Sequence, residues 1–303
     1  MRIGISVCSA YAVEDPRLGA KHMIERARVA READLDSLFV GDHHLTAQPY
    51  YQNTPMLGRM LAEWNAKPAG ALYLLPLWNP VLLAEQIGTL AAIMQGRFVL
   101  QCALGGEAKQ SVGMGVDMRD RVPMFEASLS IMQALWAGET VTHERFWNIK
   151  EARISPVPAT QIEIWVGSVA AAAINRTARL ADGWLASPGM GLKDAVDQLN
   201  QYRQACAEHD RTPSAVAIRR DVFVAPTSQQ ARQFKERSLA KGYRGFPPEA
   251  LLAGSIGEVA DEFAAFGQAG FTDIVVRNAS SDQAQSLATI EALGEVKLRM
   301  EAE

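Results

Sequence analysis

The tripeptide Asp42-His43-His44 places a carboxylate and two imidazoles directly after a short apolar run. Imidazole is the side chain whose ordinary pKa lies nearest to neutrality, so either histidine is a candidate acid, base or hydrogen-bond donor. Successive strand residues point to opposite faces, so both histidines can face one point only if the strand has already ended. The tripeptide is the candidate catalytic group, and an ordinary surface turn is the alternative.

Other chemistries lack the residues that they need. No third histidine or carboxylate stands at metal-ligand spacing beside the tripeptide, and H-E-x-x-H is absent, so no metal is expected. A metal-dependent enzyme stays a minor alternative. The chain also has no Ser-His-Asp order with a G-x-S-x-G elbow, so a hydrolase would have no nucleophile.

The turn Gly167-Ser168-Val169-Ala170 lies between a predicted strand and a predicted helix. Glycine allows close approach of the backbone, the hydroxyl donates, and a helix N-terminus carries partial positive charge. The turn is therefore a candidate phosphate site, and a routine helix cap is the alternative. It matches neither G-x-G-x-x-G nor a P-loop, which argues against classical dinucleotide or ATP binding.

A second glycine turn, Gly105-Gly106, permits positive φ and close backbone approach, although simple turn geometry also explains it. Four aromatic residues lie near the second and third predicted strands and are candidates for the wall of a flat-ligand pocket. They are Tyr50, Tyr51, Trp64 and Trp78.

The elements that must position these groups alternate between strand and helix along the whole chain. This order predicts one (β/α)8 TIM barrel over residues 1–303, an α/β fold, with an open doubly wound sheet as the alternative. In a barrel the site forms at the carboxyl ends of the strands, which brings the tripeptide and both glycine turns together. The predicted strands are Ile3–Cys8, Ser37–Val40, Gly70–Leu75, Arg97–Ala103, Ile162–Val166, Gly183–Ala186, Val216–Val224 and Thr272–Val276.

Two further patterns refine this fold. The segment Glu139–Thr160 interrupts the alternation between units four and five and is predicted to be an insertion containing a hairpin. The sequence Ser255-Ile256-Gly257-Glu258 is typical of a capping box, and Gly270 is placed to end the helix that follows.

Composition excludes several classes of protein. The chain has 303 residues, a formal net charge of -4 and 48% hydrophobic residues, which is enough for a large core. No block of lysine and arginine offers a footprint to nucleic acid, and no apolar run is long enough to span a membrane. Three cysteines argue against a disulfide framework, and Cys8 and Cys102 are predicted to be inert core thiols. With no leader pattern, a cytoplasmic setting is expected.

Several motifs in one order resemble the bacterial luciferase-like flavin monooxygenase family, from about Met1 to Leu298. The motifs are Ser37-Leu38-Phe39-Val40-Gly41-Asp42-His43-His44, Asn79-Pro80-Val81-Leu82-Leu83-Ala84-Glu85-Gln86-Ile87-Gly88-Thr89-Leu90, Gln95-Gly96-Arg97-Phe98 and Ala178-Arg179-Leu180-Ala181-Asp182-Gly183-Trp184.

The resemblance implies a barrel that binds FMN or the deazaflavin F420. It makes His43 or His44 the pocket histidine, with Asp42 where FMN members often carry glutamate. It implies that the cofactor ring lies against a bulge in strand three with a non-proline cis peptide, which maps to Ala71-Leu72.

The resemblance also implies that the cofactor phosphate lies near Gly105-Gly106 and the turn Gly167–Ala170. The chain departs from the family there, since Val169 and Ala170 replace polar phosphate ligands and Leu104 stands where an arginine follows strand four. Ser168 and the backbone amides of the turn would then have to bind the phosphate in place of those missing side chains. Modest phosphate affinity is therefore expected, as in enzymes that take reduced flavin from a separate reductase.

The resulting hypothesis is a flavin-dependent monooxygenase that uses reduced FMN and O2 on a small organic substrate. An F420-dependent hydride-transfer oxidoreductase is the alternative: Asp42 favours F420, and the pair of histidines favours FMN. A non-catalytic flavin-binding paralogue is a third hypothesis. The resemblance also implies a homodimer. Residues Lys241–Gly245 are either a lid over the site or an ordinary surface loop.

Overall fold

The alternation of strand and helix folds into a closed barrel in the computed structural model, which describes residues 1–302. Eight of eleven strands form the barrel, in the order β11-β1-β2-β3-β4-β7-β8-β9. The strands are β1 (Arg2–Val7), β2 (Ser37–Val40), β3 (Ala69–Leu74), β4 (Phe98–Ala103), β5 (Val141–His143), β6 (Ile149–Ala152), β7 (Glu163–Gly167), β8 (Gly183–Ala186), β9 (Ala215–Val224), β10 (Leu251–Gly254) and β11 (Asp273–Asn278).

Closure of the sheet depends on the pairing of β8 with β9. These strands run parallel, with Gly183 opposite Ala215 and Ala186 opposite Ile218. Every barrel strand therefore has two parallel neighbours, and no edge is left open. The predicted (β/α)8 barrel is confirmed, and the open doubly wound alternative is wrong.

Helices follow the strands and pack outside the barrel. The predicted capping box is present, since the Ser255 side chain and the Glu258 carboxylate each bind the other's backbone, and Gly270 ends α9 in the left-handed region. The helices are α1 (Pro16–Glu32), α2 (Asn53–Met60), α3 (Pro80–Ile93), α4 (Ala108–Gly113), α5 (Arg121–Trp136), α6 (Ala171–Leu180), α7 (Leu192–Glu208), α8 (Ser228–Ala240), α9 (Ile256–Ala269) and α10 (Gln283–Ala302).

Four elements, β5, β6, α4 and β10, lie outside the regular alternation. Strands β5 and β6 form the predicted hairpin between α5 and β7. The sequence did not predict α4 or β10. Strand β9 is ten residues long, so its first half pairs with β8 while Asp221–Val224 pair with β10. The long strand thereby carries its charged residues to the carboxyl end of the barrel.

The core has two parts because each barrel strand is buried on both faces. Phe39, Val99, Trp165 and Val275 belong to a small cluster that fills the barrel interior. Their neighbours along the strands belong to the larger cluster between the sheet and the helices. Within residues 1–302 no helix is long and apolar enough to cross a membrane.

Gly70 in β3 is expected to tolerate no side chain. A Cβ atom there would overlap the backbone carbonyl oxygen of Val99 on β4, which cannot rotate away. We expect Gly70→Ala to lower the free energy of unfolding by about 3 kcal/mol, as overpacking does in a dense core. Gly58→Ala in α2 is the control, since a Cβ there lies 3.7 Å from its nearest neighbour. Urea denaturation measures both, and equal effects would contradict the argument.

Candidate functional site

Two adjoining cavities open at the carboxyl ends of the barrel strands. The first, called the large cavity, has a volume of about 580 Å³ and is bordered by the ends of β3, β4, β7 and β8. The second, called the arginine cavity, measures about 330 Å³ and is bordered by β1, β2, β9 and β11. Three residues, His43, Leu72 and Arg219, line both cavities. The junction between the cavities is therefore the place where two bound molecules can meet.

His43 is the histidine that faces this junction. Its side chain is exposed, and its ring lies edge-on to Tyr50 with 5.5 Å between the ring centres. Its Nδ1 atom is 3.1 Å from Nε2 of Gln110. Of the two histidines between which the sequence left the choice open, His43 lines both cavities and His44 lines neither.

Gln110 determines which nitrogen of His43 carries the proton. The backbone N–H of His44 donates to Oε1 of Gln110 at 3.0 Å, which identifies the other side-chain atom as the amide nitrogen. That nitrogen donates to the Glu107 carboxylate and to Nδ1 of His43. Since Nδ1 accepts, the neutral imidazole carries its hydrogen on Nε2. Helix α4, which supplies Gln110, had no clear signal in the sequence.

Asp42 and His44 have a different surrounding. Asp42 is only 2% exposed, and its Oδ2 accepts from the backbone N–H of Leu74 at 2.8 Å and from Nε1 of Trp78 at 2.9 Å. Nε2 of His44 lies 3.2 Å from Asp42 Oδ1, and the His44 ring packs against Trp78. Asp42 borders the arginine cavity, whereas His44 lines neither cavity. Both residues hold the end of β2 against the end of β3.

Ala71 and Leu72, the two residues of β3 expected to contact the cofactor ring, point to opposite faces of the strand. Leu72 lines both cavities, whereas Ala71 is fully buried and lines neither. The expected cis peptide is wrong, since the Ala71–Leu72 bond is trans. The reason is the regular ladder: Ala71 pairs with Leu100 and Leu72 with Gln101 of β4, with no bulge between them.

The predicted phosphate turn lies on the wall of the large cavity, where Gly167, Ser168, Val169 and Ala170 are all present. The Ser168 hydroxyl is nevertheless committed, because it lies 2.9 Å from Oγ1 of Thr177. The Thr177 hydroxyl donates its hydrogen to the Ala173 carbonyl, so Ser168 must be the donor in the hydrogen bond between Ser168 and Thr177. The hydroxyl therefore has no hydrogen left for a phosphate.

The N-terminus of α6 retains free donors. No side chain caps this helix at Ala170. The N–H of Ala173 donates to the Ala170 carbonyl at 2.8 Å, which leaves the N–H groups of Ala171 and Ala172 as the donors of the first turn. A helix N-terminus of this kind attracts anions. The backbone of the turn, and not the serine hydroxyl, is the donor that the large cavity offers here.

Arg121 supplies the positive charge that the sequence lacked at Leu104. It is the first residue of α5, lines the large cavity and donates from Nη1 to the Gly105 carbonyl at 3.0 Å. Gly105 has φ of 69°, as predicted for a turn that needs glycine, and Gly106 lines the same wall. No local pattern marks Arg121, because only the packing of α5 brings it to the cavity.

Two sequence interpretations change at the arginine cavity. Cys102 is fully buried as predicted, but Cys8 is only half-buried and lines this cavity, so the prediction of an inert core thiol is wrong for Cys8. Among the four aromatic candidates only Tyr50 lines either cavity. The other three, Tyr51, Trp64 and Trp78, pack in the protein and donate to neighbouring oxygen atoms.

The closed barrel, with cavities at the carboxyl ends of its strands, has the layout of a TIM-barrel enzyme. A sequence profile for luciferase-like monooxygenases matches residues 1–247. The chain therefore belongs to the luciferase-like monooxygenase family, a family of oxidoreductases, and the resemblance seen in its sequence motifs is confirmed.

The relatives of this chain include an F420-dependent enzyme. An F420-dependent glucose-6-phosphate dehydrogenase of Microbacterium testaceum is 28% identical over 192 residues, which are 59% of this chain and 56% of that protein. The match thus covers little more than half of the relative's length.

Two solved structures share the fold over nearly the whole chain. An F420-dependent secondary alcohol dehydrogenase, in complex with an F420-acetone adduct, superposes with a TM-score of 0.80 at 18% identity, covering 99% of this chain and 98% of the other. The oxygenating constituent of 3,6-diketocamphane monooxygenase from Pseudomonas putida, in complex with FMN, has a TM-score of 0.78 at 20% identity and 97% coverage of both chains.

Proposed function

We propose that this protein is an F420-dependent oxidoreductase that transfers a hydride between the deazaflavin and a carbonyl or alcohol group of a small organic substrate. The observation that carries the proposal is the position of His43 at the junction of the two cavities, with its Nδ1 3.1 Å from the side-chain amide nitrogen of Gln110. The F420 dependence of the relative in Microbacterium testaceum supports the choice of cofactor.

The large cavity fits a flat ring with a phosphorylated tail. Leu72, Leu74 and Leu185 give its walls an apolar surface, which suits a tricyclic ring. Arg121 and the uncapped N-terminus of α6 would hold a phosphate. When bound, the deazaflavin supplies or accepts a hydride.

His43 would act on the substrate oxygen. Because Gln110 donates to Nδ1, the neutral form of the ring carries its hydrogen on Nε2, which leaves Nε2–H as the donor for a substrate at the junction. A donor fixed in that position stabilises the negative charge that develops on a carbonyl oxygen as a hydride reaches its carbon. Gln110, itself held by His44 and Glu107, keeps the ring from turning away.

A monooxygenase reaction with reduced FMN is the second candidate. The family of luciferase-like monooxygenases, to which the chain belongs, favours this reaction. FMN carries one phosphate, which Arg121 and the N-terminus of α6 would hold. This candidate would take reduced flavin from a separate reductase and would need the junction closed to water. His43 is exposed, which favours hydride transfer.

Cofactor titration followed by anaerobic turnover tests the proposal. We expect F420 to quench tryptophan fluorescence with at least tenfold tighter binding than FMN. We expect reduced F420 to be oxidised without oxygen by at least one member of a panel of aldehydes and ketones. Tighter binding of FMN with oxygen uptake would instead establish the monooxygenase. Binding without any turnover would identify a non-catalytic flavin-binding paralogue.

A further inference from the structure

Three arginines from three separate elements line the arginine cavity. Arg219 comes from β9, Arg277 from β11, and Arg244 from the turn that follows α8. They surround one carboxylate, that of the fully buried Asp221. The distances to its oxygens are 3.3 Å from Arg277 Nη1, 3.5 Å from Arg244 Nε and 3.9 Å from Arg219 Nε.

The positive charge of this group exceeds its negative charge. Asp221 must serve all three guanidinium groups, and it also accepts from the Tyr243 hydroxyl at 2.8 Å. The acid that lines the cavity itself is Asp42, whose Oδ2 is already bound by a backbone N–H and an indole N–H. Three cations therefore face two carboxylates, and an anion bound in the cavity would relieve the repulsion among the arginines.

Arg219 has the greatest need of a partner. Its Nε is buried and makes no hydrogen bond within the protein. Burial lowers the pKa of the Arg219 guanidinium to about 10, against the favourable charge of Asp221, and the like charges of Arg244 and Arg277 lower it further. A buried cation short of partners is costly unless a ligand completes its contacts. The planar guanidinium is suited to bind carboxylate or phosphate through two parallel hydrogen bonds.

The backbone of Arg244 has a strained conformation, which is a second indication that its side chain contacts a ligand in the cavity. Its φ is 49°, in the left-handed region, between Gly242 at 72° and Gly245 at 66°. A residue other than glycine in that region costs about 1–3 kcal/mol, and such strain concentrates at ligand sites. Tyr243 anchors the turn on Asp221, so the turn stays over the cavity.

We propose that the arginine cavity binds an oxyanion group of the substrate, so that the substrate is a small organic acid or phosphate ester. This inference rests on the proposed function, which makes the cavity beside His43 the substrate side. His43, Leu72 and Arg219 line both cavities, so a molecule anchored by its anion among the arginines extends toward the Nε2–H of His43. The volume of about 330 Å³ suits a small-molecule subsite.

Calorimetric titration of the full chain with benzoate, benzamide and inorganic phosphate tests the proposal. Benzoate and benzamide share a shape and differ in charge, so we expect benzoate to bind at least tenfold more tightly. Arg277→Gln and Arg244→Gln should each weaken benzoate binding at least tenfold. Arg244→Gln lies in a surface turn and keeps the test valid if Arg277→Gln fails to fold. Arg17→Gln, an exposed arginine paired with Asp15, is the matched control.

Phosphate distinguishes the two anion sites of the protein. A phosphate affinity that falls in Arg244→Gln and not in Arg121→Gln supports the proposal, and it favours a phosphate ester if phosphate binds more tightly than benzoate. The opposite pattern places the phosphate in the large cavity. Together with equal binding of benzoate and benzamide, that pattern overturns the inference.

F420 binding separates this inference from the proposed function. If the wild-type protein binds F420 but does not prefer benzoate to benzamide, the inference fails and the proposed function stands. If benzoate binding depends on the arginines but F420 does not bind, the proposed function fails and the anion site stands.

Discussion

Replacing His43 by alanine is expected to lower kcat about 10²–10³-fold, the usual cost of removing one donor to a developing oxyanion. The KM of the carbonyl substrate and the Kd of the cofactor should change by less than about threefold, since the donor acts mainly in the transition state. The physical reason is the orientation of the ring, which Gln110 fixes with its proton on Nε2. Anaerobic oxidation of reduced F420, with the best acceptor of the panel, measures both parameters.

Three further variants define the role of His43. His43→Gln keeps an N–H donor and should recover part of kcat. Gln110→Ala frees the ring and should give a smaller loss of kcat than His43→Ala. His209→Ala, at the end of α7, is the control and should leave kcat unchanged. Equal losses of kcat and cofactor affinity in His43→Ala would contradict the assigned role.

Replacing Arg121 by alanine is expected to weaken cofactor binding about 10- to 100-fold. A hydrogen bond to a charged group contributes about 1.5–3 kcal/mol, and each 1.4 kcal/mol is a factor of about ten in Kd. The effect should be large because the Ser168 hydroxyl is already committed to Thr177 and leaves Arg121, which lies beside Gly105, as the cationic side chain for the phosphate. Fluorescence titration measures the Kd, and Arg121→Lys should recover part of the affinity.

Ring compounds without a phosphate provide the decisive comparison. Riboflavin and the corresponding deazaflavin lack the phosphate, so their affinity should be the same in the wild-type protein and in Arg121→Ala. Arg119→Ala, an exposed arginine paired with Asp117, serves as the protein control. An equal loss of affinity for the compounds with and without phosphate would show that Arg121 acts on the shape of the cavity and not on the phosphate.

The order of strands and helices was available from the sequence because it depends on local patterns. The eight barrel strands were predicted within a few residues of their observed ends. The capping box at Ser255 and the left-handed backbone conformation of Gly270 depend on short-range hydrogen bonds and on φ preferences. The family motifs, such as the one that ends at His44, are also contiguous in the chain. Such features need no knowledge of how distant segments meet.

Three properties of the candidate site were decided by the tertiary structure. Which histidine faces the cavity depends on α4 and Gln110, because side chains no longer alternate once a strand has ended. The Ser168 hydroxyl is unavailable because Thr177 lies beside it, which no spacing rule reveals.

The group of arginines around Asp221 is the third property that the tertiary structure decided. Arg219, Arg244 and Arg277 are unremarkable charges in the sequence. The pairing of β9 with β11 sets Arg277 beside Asp221, and the turn after α8 adds Arg244 to the same carboxylate. Local patterns determined the elements of this protein, whereas the charge and shape of its cavities depend on contacts between residues that are far apart in the chain.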